Sequence, residues 1–158
     1  MPIRGAKGWI GLLGLLAACA GGDPGPPCAG GGQTSAVIGQ EDPTGFVALR
    51  DGDPIAVQDT SSGPALRFDF EITGLDTRSS ATVVLRIGRN GGGTTDYLAS
   101  VRLTCEEPGP ATYTAWAGWP SDWPDPGAAR GDSLQVRSVF TDVSGDAAEA
   151  DVDLVVGG

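Results

Sequence analysis

A chain of 158 residues is long enough to form one domain with a hydrophobic core. It has 20 acidic residues against 10 basic ones and no histidine, which gives a formal charge of −10. This acidic balance argues against nucleic acid and anionic membrane surfaces as partners. The lack of histidine removes the side chain that most often acts as a general base in catalysis.

The first 19 residues have the layout of a secretory signal. Arg4 and Lys7 precede an apolar run of 10 residues that ends at Ala18. A helix of that length covers about 15 Å, which is half of a bilayer core of about 30 Å, so the run is too short to span a membrane. We expect residues 1–18 to be cleaved off, which would leave 8 arginines, no lysine and a formal charge of −12.

The end of this signal, Leu16-Ala17-Ala18-Cys19, resembles the lipobox of bacterial lipoproteins. The resemblance implies that Cys19 receives a diacylglyceryl group and becomes the membrane anchor. Ala20 follows Cys19, whereas Gram-negative lipoproteins retained on the inner membrane tend to have aspartate there. The resemblance therefore implies the outer membrane, at its periplasmic face or the cell surface. The alternative is an ordinary signal with a chance cysteine at its end.

Residues 19–33 are rich in glycine and proline and predict a tether in front of a domain at 34–158. After lipidation of Cys19, the remaining Cys28 and Cys105 form an even pair in an oxidising compartment, which predicts a disulfide. The loop that it closes is long, so the chain-entropy model gives a stabilisation of about 4 kcal/mol. Two unpaired thiols, or a thiol that pairs between molecules, are the alternatives.

From Thr34 the sequence consists of short segments in which apolar and polar residues alternate. The alternation is clearest in 65–73, 81–87, 97–105, 134–140 and 148–156, and weaker strand candidates are 35–40, 46–50, 55–58 and 112–116. Period two is typical of strands that bury one face, and in 65–73 it places Arg67, Asp69 and Glu71 on the solvent face. Eight or nine short strands without a sustained helical period predict an all-β, antiparallel β-sandwich.

Residues 131–156 resemble the closing hairpin of bacterial immunoglobulin-like domains, with alternating apolar residues, a turn at 142–146 and a valine-rich last strand. The resemblance implies an immunoglobulin-like sandwich but no function, because such sandwiches host many functions. The segments 37–40 and 46–57 resemble the opening of uncharacterised Gram-negative envelope lipoproteins. That second resemblance adds only fold and location.

Catalytic patterns are missing from the sequence. It has no Gly-x-Ser-x-Gly motif, and the adjacent Glu106 and Glu107 would face opposite ways on a strand. The glycine-rich segment 90–93 is interpreted as a hairpin loop. Asp51, Asp53 and Asp59, and likewise Asp142 and Asp146, are ligand types that suit calcium, but EF-hand spacing is missing. We therefore predict a non-enzyme without cofactor or metal site.

Three of the four tryptophans fall within the proline-rich segment 116–126. Trp116 would continue a strand and lie in the core, whereas Trp119 and Trp123 are each followed by proline, which keeps them extended. Exposed aromatic rings stack on sugars or anchor protein partners, so Trp119 and Trp123 are the candidate binding residues. Alternatively, their rings cap one end of the sandwich.

Together these features predict a lipid-anchored envelope protein that acts as a non-catalytic binding or assembly module. Its expected partners are the membrane, through the lipid, and a protein or glycan, but not nucleic acid. The alternatives are a structural surface lipoprotein without a dedicated ligand and, less favoured, a small hydrolase.

Overall fold

The computed structural model describes residues 30–106 and 109–158. These ranges contain eleven strands and no helix, and hence no helix that could cross a bilayer. The strands are β1 Ser35–Asp42, β2 Gly45–Ala48, β3 Pro54–Ile55, β4 Val57–Thr60, β5 Gly63–Thr73, β6 Ala81–Arg89, β7 Thr94–Val101, β8 Thr104–Cys105, β9 Ala111–Gly118, β10 Ser133–Thr141 and β11 Ala147–Val156. The signal, Cys19, Cys28 and most of the expected tether lie outside the described residues.

The strands form two sheets. Sheet 1 has the order β2-β1-β5-β9-β8, and β4 pairs with the first residues of β5. Sheet 2 has the order β3-β11-β10-β6-β7. The predicted all-β sandwich is confirmed at this level, while the narrower immunoglobulin-like assignment stays a prediction. The strand pairs are antiparallel, as expected, except that the two-residue strand β3 pairs in parallel with β11 at one edge of sheet 2.

The core lies between the two sheets and follows the period of two. In β10 every second residue from Leu134 is buried, and β11 pairs with β10 through the predicted turn as an antiparallel hairpin. Phe70 of sheet 1 meets Phe140 of sheet 2 edge-on, with ring centroids 5.0 Å apart. Burying one such ring stabilises the fold by about 2–3 kcal/mol, so these aromatic contacts hold the sheets face to face.

Two predicted strands are each divided between the sheets. The segment 97–105 ends one strand at Val101 and begins another at Thr104, and the chain crosses from sheet 2 to sheet 1 at residues 102–103. The segment 55–58 is divided in the same way between β3 and β4. Crossing does not interrupt the apolar alternation, since Val101 and Leu103 are both buried. The pattern alone therefore reads as one strand.

Candidate binding face

Trp116 projects from the outer face of sheet 1 and is 51% exposed. On β9 the buried residues Ala111, Ala115 and Ala117 fix the inward phase, so Trp116 must point outward. The expectation that Trp116 continues the strand is confirmed, and the expectation that it lies in the core is wrong. The spacing of the alanines was the signal in the sequence that indicates the outward direction of Trp116.

Arg67 lies beside this indole. It is the register partner of Trp116 across β5 and β9, and its Cζ atom lies 6.0 Å from the centre of the indole ring. A guanidinium at this distance is attracted by the face of the ring and contributes about 0.5–1 kcal/mol at an exposed site. The contact favours one orientation of the indole on the sheet.

Asp69 holds the arginine in place. The sequence pattern placed this residue on the solvent face, but it is only 5% exposed because neighbouring strands cover it. Its carboxylate accepts hydrogen bonds from Arg67 Nη2 at 3.0 Å, from Thr114 Oγ1 at 2.7 Å and from the Glu41 amide at 2.8 Å. Hydrogen bonds to a charged acceptor are stronger than neutral ones, so Asp69 ties β1, β5 and β9 together beneath the exposed surface.

A groove of about 480 Å³ runs beside Trp116 and is here called the Trp116 groove. The residues that line it are Thr60, Ser61, Ser62, Gly63, Pro64, Ala65, Trp116 and Gly118. Ala65 is buried at its floor, and the serines stand on the turn between β4 and β5. A side chain added at Gly118 would meet no atom within 4 Å, so the glycine leaves the groove open.

Hydrogen bonds fix the walls of the Trp116 groove. Thr60 Oγ1 donates to the Gly63 carbonyl at 2.7 Å and accepts from the Ser62 amide at 3.2 Å, which orders the turn. From the other sheet, the Tyr97 hydroxyl donates to the Gly118 carbonyl. Burial, and then the charge of Asp122, raise the pKa of Tyr97, so its hydroxyl remains a donor at neutral pH. The groove is therefore formed before any ligand arrives.

Trp119 and Trp123 pack against each other instead of facing solvent. Their rings meet edge-on with centroids 5.2 Å apart, and Trp123 is only 7% exposed. Trp119 Nε1 donates to the Pro124 carbonyl at 2.8 Å. The packing of the two rings agrees with the capping alternative, but Trp123 Nε1 is buried and has no hydrogen-bond partner among the described residues. The structure brings the two predicted binding residues together in a packed cluster, whereas the exposed indole belongs to Trp116.

Arg89 lies over the other member of this cluster, Trp123, with its Cζ atom 6.0 Å from the ring centre. It pairs with Asp132 at 2.6 Å. A Cβ at position 92 would come within 2.8 Å of Arg89 Nε, so the glycine-rich hairpin loop lies directly against the guanidinium. A larger residue at position 92 would require the Arg89 guanidinium to shift.

Three of the five aspartates considered for calcium accept hydrogen bonds from backbone amides, and one of them is Asp53, which accepts from the Arg50 amide. Asp142 accepts from the amides of Asp76, Ser144 and Asp146, while Asp51 accepts from the amide of Asp153. Within the described residues, no group of three or more carboxylate or cysteine side chains is arranged to hold a metal ion. These carboxylates order turns.

Of the predicted disulfide pair, Cys105 lies on β8 at the edge of sheet 1 and packs against the core. Its proposed partner Cys28 lies outside the described residues. The alternation of 97–105 puts Cys105 in phase with Val101 and Leu103, which agrees with this position, and the bond itself stays a prediction.

Neither a family model nor a curated protein matches this sequence. The case for a function therefore rests on the residues and contacts described above.

Proposed function

We propose that this chain is a lipid-anchored envelope protein whose sandwich domain is a non-catalytic binding module for a neutral glycan. The observation that carries the proposal is the half-exposed indole of Trp116, held by Arg67 beside a preformed groove. The membrane anchor rests separately on the lipobox-like segment that ends at Cys19.

The chemistry of the Trp116 groove favours a sugar. A sugar ring has an apolar face that stacks on an indole and hydroxyls that exchange hydrogen bonds with polar rims. Trp116 supplies the indole, and Thr60, Ser61 and Ser62 bring hydroxyl groups to the rim. The net acidic charge of the chain disfavours anionic ligands, so the glycan is expected to be neutral.

The test is binding of the full-length chain to a panel of neutral and anionic oligosaccharides. We expect a neutral glycan to bind, and Trp116→Ala to weaken it about tenfold, because stacking is worth about 1 kcal/mol or more. Gly118→Val should weaken it as well, since the added side chain enters open space in the groove without straining the backbone. Thr112→Ala is the matched control, on the same face of β9 but four residues, or about 13 Å, away from Trp116 along the strand.

The measured affinities distinguish a glycan-binding protein from a structural lipoprotein. Equal affinity in all four proteins, or no glycan bound by the full-length chain, would overturn the glycan proposal. The structural lipoprotein without a dedicated ligand would then be the better account.

The anchor has its own test. Cys19→Ala should abolish labelling with a lipid precursor and release the protein from washed membranes, because several acyl chains anchor far more firmly than the domain surface. Separation of inner and outer membranes then tests the expected outer-membrane location. Unchanged membrane retention of the variant would overturn the lipoprotein assignment.

We also propose that Cys28 and Cys105 form a disulfide. Support comes from the chain that follows Cys28, because Gly30 lies against the Asp76 backbone, just beyond the end of β5. Cys105 is at the same end of sheet 1, since it pairs with Ala111, which pairs with Ile72. Mass spectrometry of an unreduced digest should find the linked peptides. Two thiols that react with an alkylating agent in the unreduced protein would contradict the bond.

A further inference from the structure

β7 forms an edge of sheet 2. Within the described residues, this strand of eight residues pairs only with β6, in a continuous register without a bulge. Natural edge strands are usually protected from pairing with another chain by lysine, proline, a bulge or a covering segment. The sequence TTDYLASV has neither lysine nor proline, and its one charge, Asp96, is paired with Arg86 by hydrogen bonds of 2.7 and 2.8 Å. In the part of the chain that the structure describes, β7 therefore lacks lysine, proline and a bulge, and no further strand pairs with this edge.

An apolar side chain marks the middle of this edge. Leu98 is 73% exposed, more than any other large hydrophobic residue of the described chain. It ends a row on the outer face of sheet 2 in which Val139 pairs with Val84 and Val84 pairs with Leu98. Extending the sheet by one strand would extend this row as well.

The charges near β7 are complementary to a second copy of the same strand. If two β7 strands pair antiparallel about a two-fold axis through Ala99, the register brings Asp96 of each copy level with Arg102 of the other, the residue at which the chain leaves sheet 2. Arg102 directly follows β7 and is exposed, and no salt bridge joins it to a carboxylate within residues 30–106 and 109–158. Because of the two-fold axis, the pair of opposite charges occurs twice in the dimer. In the same register, Leu98 of each copy lies opposite Ser100 of the other.

We propose that β7 is a self-association edge, at which two copies of this chain pair antiparallel about Ala99 to form one continuous sheet. Main-chain hydrogen bonds supply the attraction, and Asp96, Leu98 and Arg102 set the register. The contact is isologous and closes as a dimer. The proposal uses no residue that lines the Trp116 groove, so it stands independently of glycan binding.

The first test measures the oligomeric state of the full-length chain in detergent by analytical ultracentrifugation. We expect a monomer–dimer equilibrium, with Leu98→Lys and Arg102→Asp each raising the dissociation constant at least about tenfold. Val143→Lys is the matched control, because Val143 is also an exposed apolar residue but lies in the turn between β10 and β11. Circular dichroism verifies that each variant is folded.

The second test fixes the register by disulfide crosslinking of single-cysteine additions, with the chain that carries no added cysteine as the control. Ala99→Cys should crosslink efficiently, because directly opposed antiparallel residues have Cα atoms about 4.5–5.5 Å apart, within disulfide range. Leu98→Cys should crosslink poorly, since its own counterpart would be displaced along the strand. A chain that stays monomeric, or a dimer insensitive to both edge substitutions, overturns the proposal. Preferential crosslinking of Leu98→Cys overturns the register and the Asp96–Arg102 pairing.

Discussion

Two clusters in this domain each combine a tryptophan, an arginine and an aspartate. One cluster buries its aspartate and exposes its tryptophan, and the other buries its tryptophan and leaves its aspartate partly exposed. On sheet 1, Trp116 is exposed and Asp69 is buried, whereas in the segment after β9 Trp123 is buried and Asp132 is partly exposed. In both, the arginine Cζ lies 6.0 Å from the ring centre and the guanidinium pairs with the aspartate. The same three residue types therefore form one cluster with an exposed ring and one with a buried ring.

The difference indicates which residue contributes most to the stability of each cluster. A buried aspartate must be satisfied by donors, so the Trp116 cluster depends on its carboxylate, and the ring remains available to a ligand. A buried indole removes apolar surface from water, so the other cluster depends on its ring. The same substitution should therefore lower the free energy of unfolding by different amounts in the two clusters.

The largest effect is expected for Trp123→Ala. Removing this buried ring leaves a cavity and should lower the free energy of unfolding by about 3–5 kcal/mol. Trp116→Ala, at the exposed ring, should lower it by less than about 1 kcal/mol. Urea denaturation of the two variants measures both values, and equal losses would break the comparison.

The aspartates should show the reverse order. Asp69→Ala removes the acceptor of three hydrogen bonds and leaves donors unsatisfied, so we expect a loss of about 2–3 kcal/mol in the free energy of unfolding. Asp132→Ala removes a partly exposed partner and should cost about 1 kcal/mol or less. A larger loss in the free energy of unfolding for Asp132→Ala than for Asp69→Ala would contradict the view that only the Trp116 cluster depends on its carboxylate.

Fluorescence quenching tests exposure without changing stability greatly. Acrylamide should quench Trp116 readily and Trp123 weakly, because only the former is open to solvent. Trp116→Phe should therefore remove most of the readily quenched emission, whereas Trp119→Phe should preserve it. Retention of that emission in Trp116→Phe would mean that one of the packed rings is accessible in solution.

The smallest effect concerns the solvent-exposed ion pair of Arg86 and Asp96 on sheet 2. Hydrogen bonds from Arg86 hold the pKa of Asp96 below 3.8. The pair therefore contributes stability above the unfolded pKa, and this contribution is lost as pH falls through the lower folded pKa. NMR titration of Asp96 should show its midpoint rising towards 3.8 in Arg86→Ala. An unchanged midpoint would show that Arg86 does not lower the pKa of Asp96.

The strands of the core could be predicted because period two is a local property. Phe68 and Phe70 on β5, and Leu134 and Val136 on β10, are buried as their spacing indicates. The turn before β11 was predictable for a similar reason, since 142–146 combines aspartate, serine and glycine between two alternating segments. Each of these inferences needs only residues that are neighbours along the chain.

The burial of Asp69 could not be predicted because its surroundings come from distant parts of the sequence. For Trp116 the alanine spacing on β9 indicates the outward direction, and only the openness of that face depends on distant strands. Asp69 is covered by groups from β1 and β9, and the floor of the Trp116 groove comes from β5. Local periodicity states which side a residue faces, but not what covers that side. The candidate site was therefore assigned to Trp119 and Trp123, whose following prolines are visible in the sequence.

The sequence by itself determined the sandwich, its alternating core strands and the closing hairpin, because burial of one face imposes a period of two on each strand. Tertiary structure alone decided that the chain changes sheets after Val101, that Asp69 is buried and that the indole of Trp116 is exposed. The physical reason is that exposure depends on which strand lies alongside. Such neighbours are set by pairing between segments dozens of residues apart.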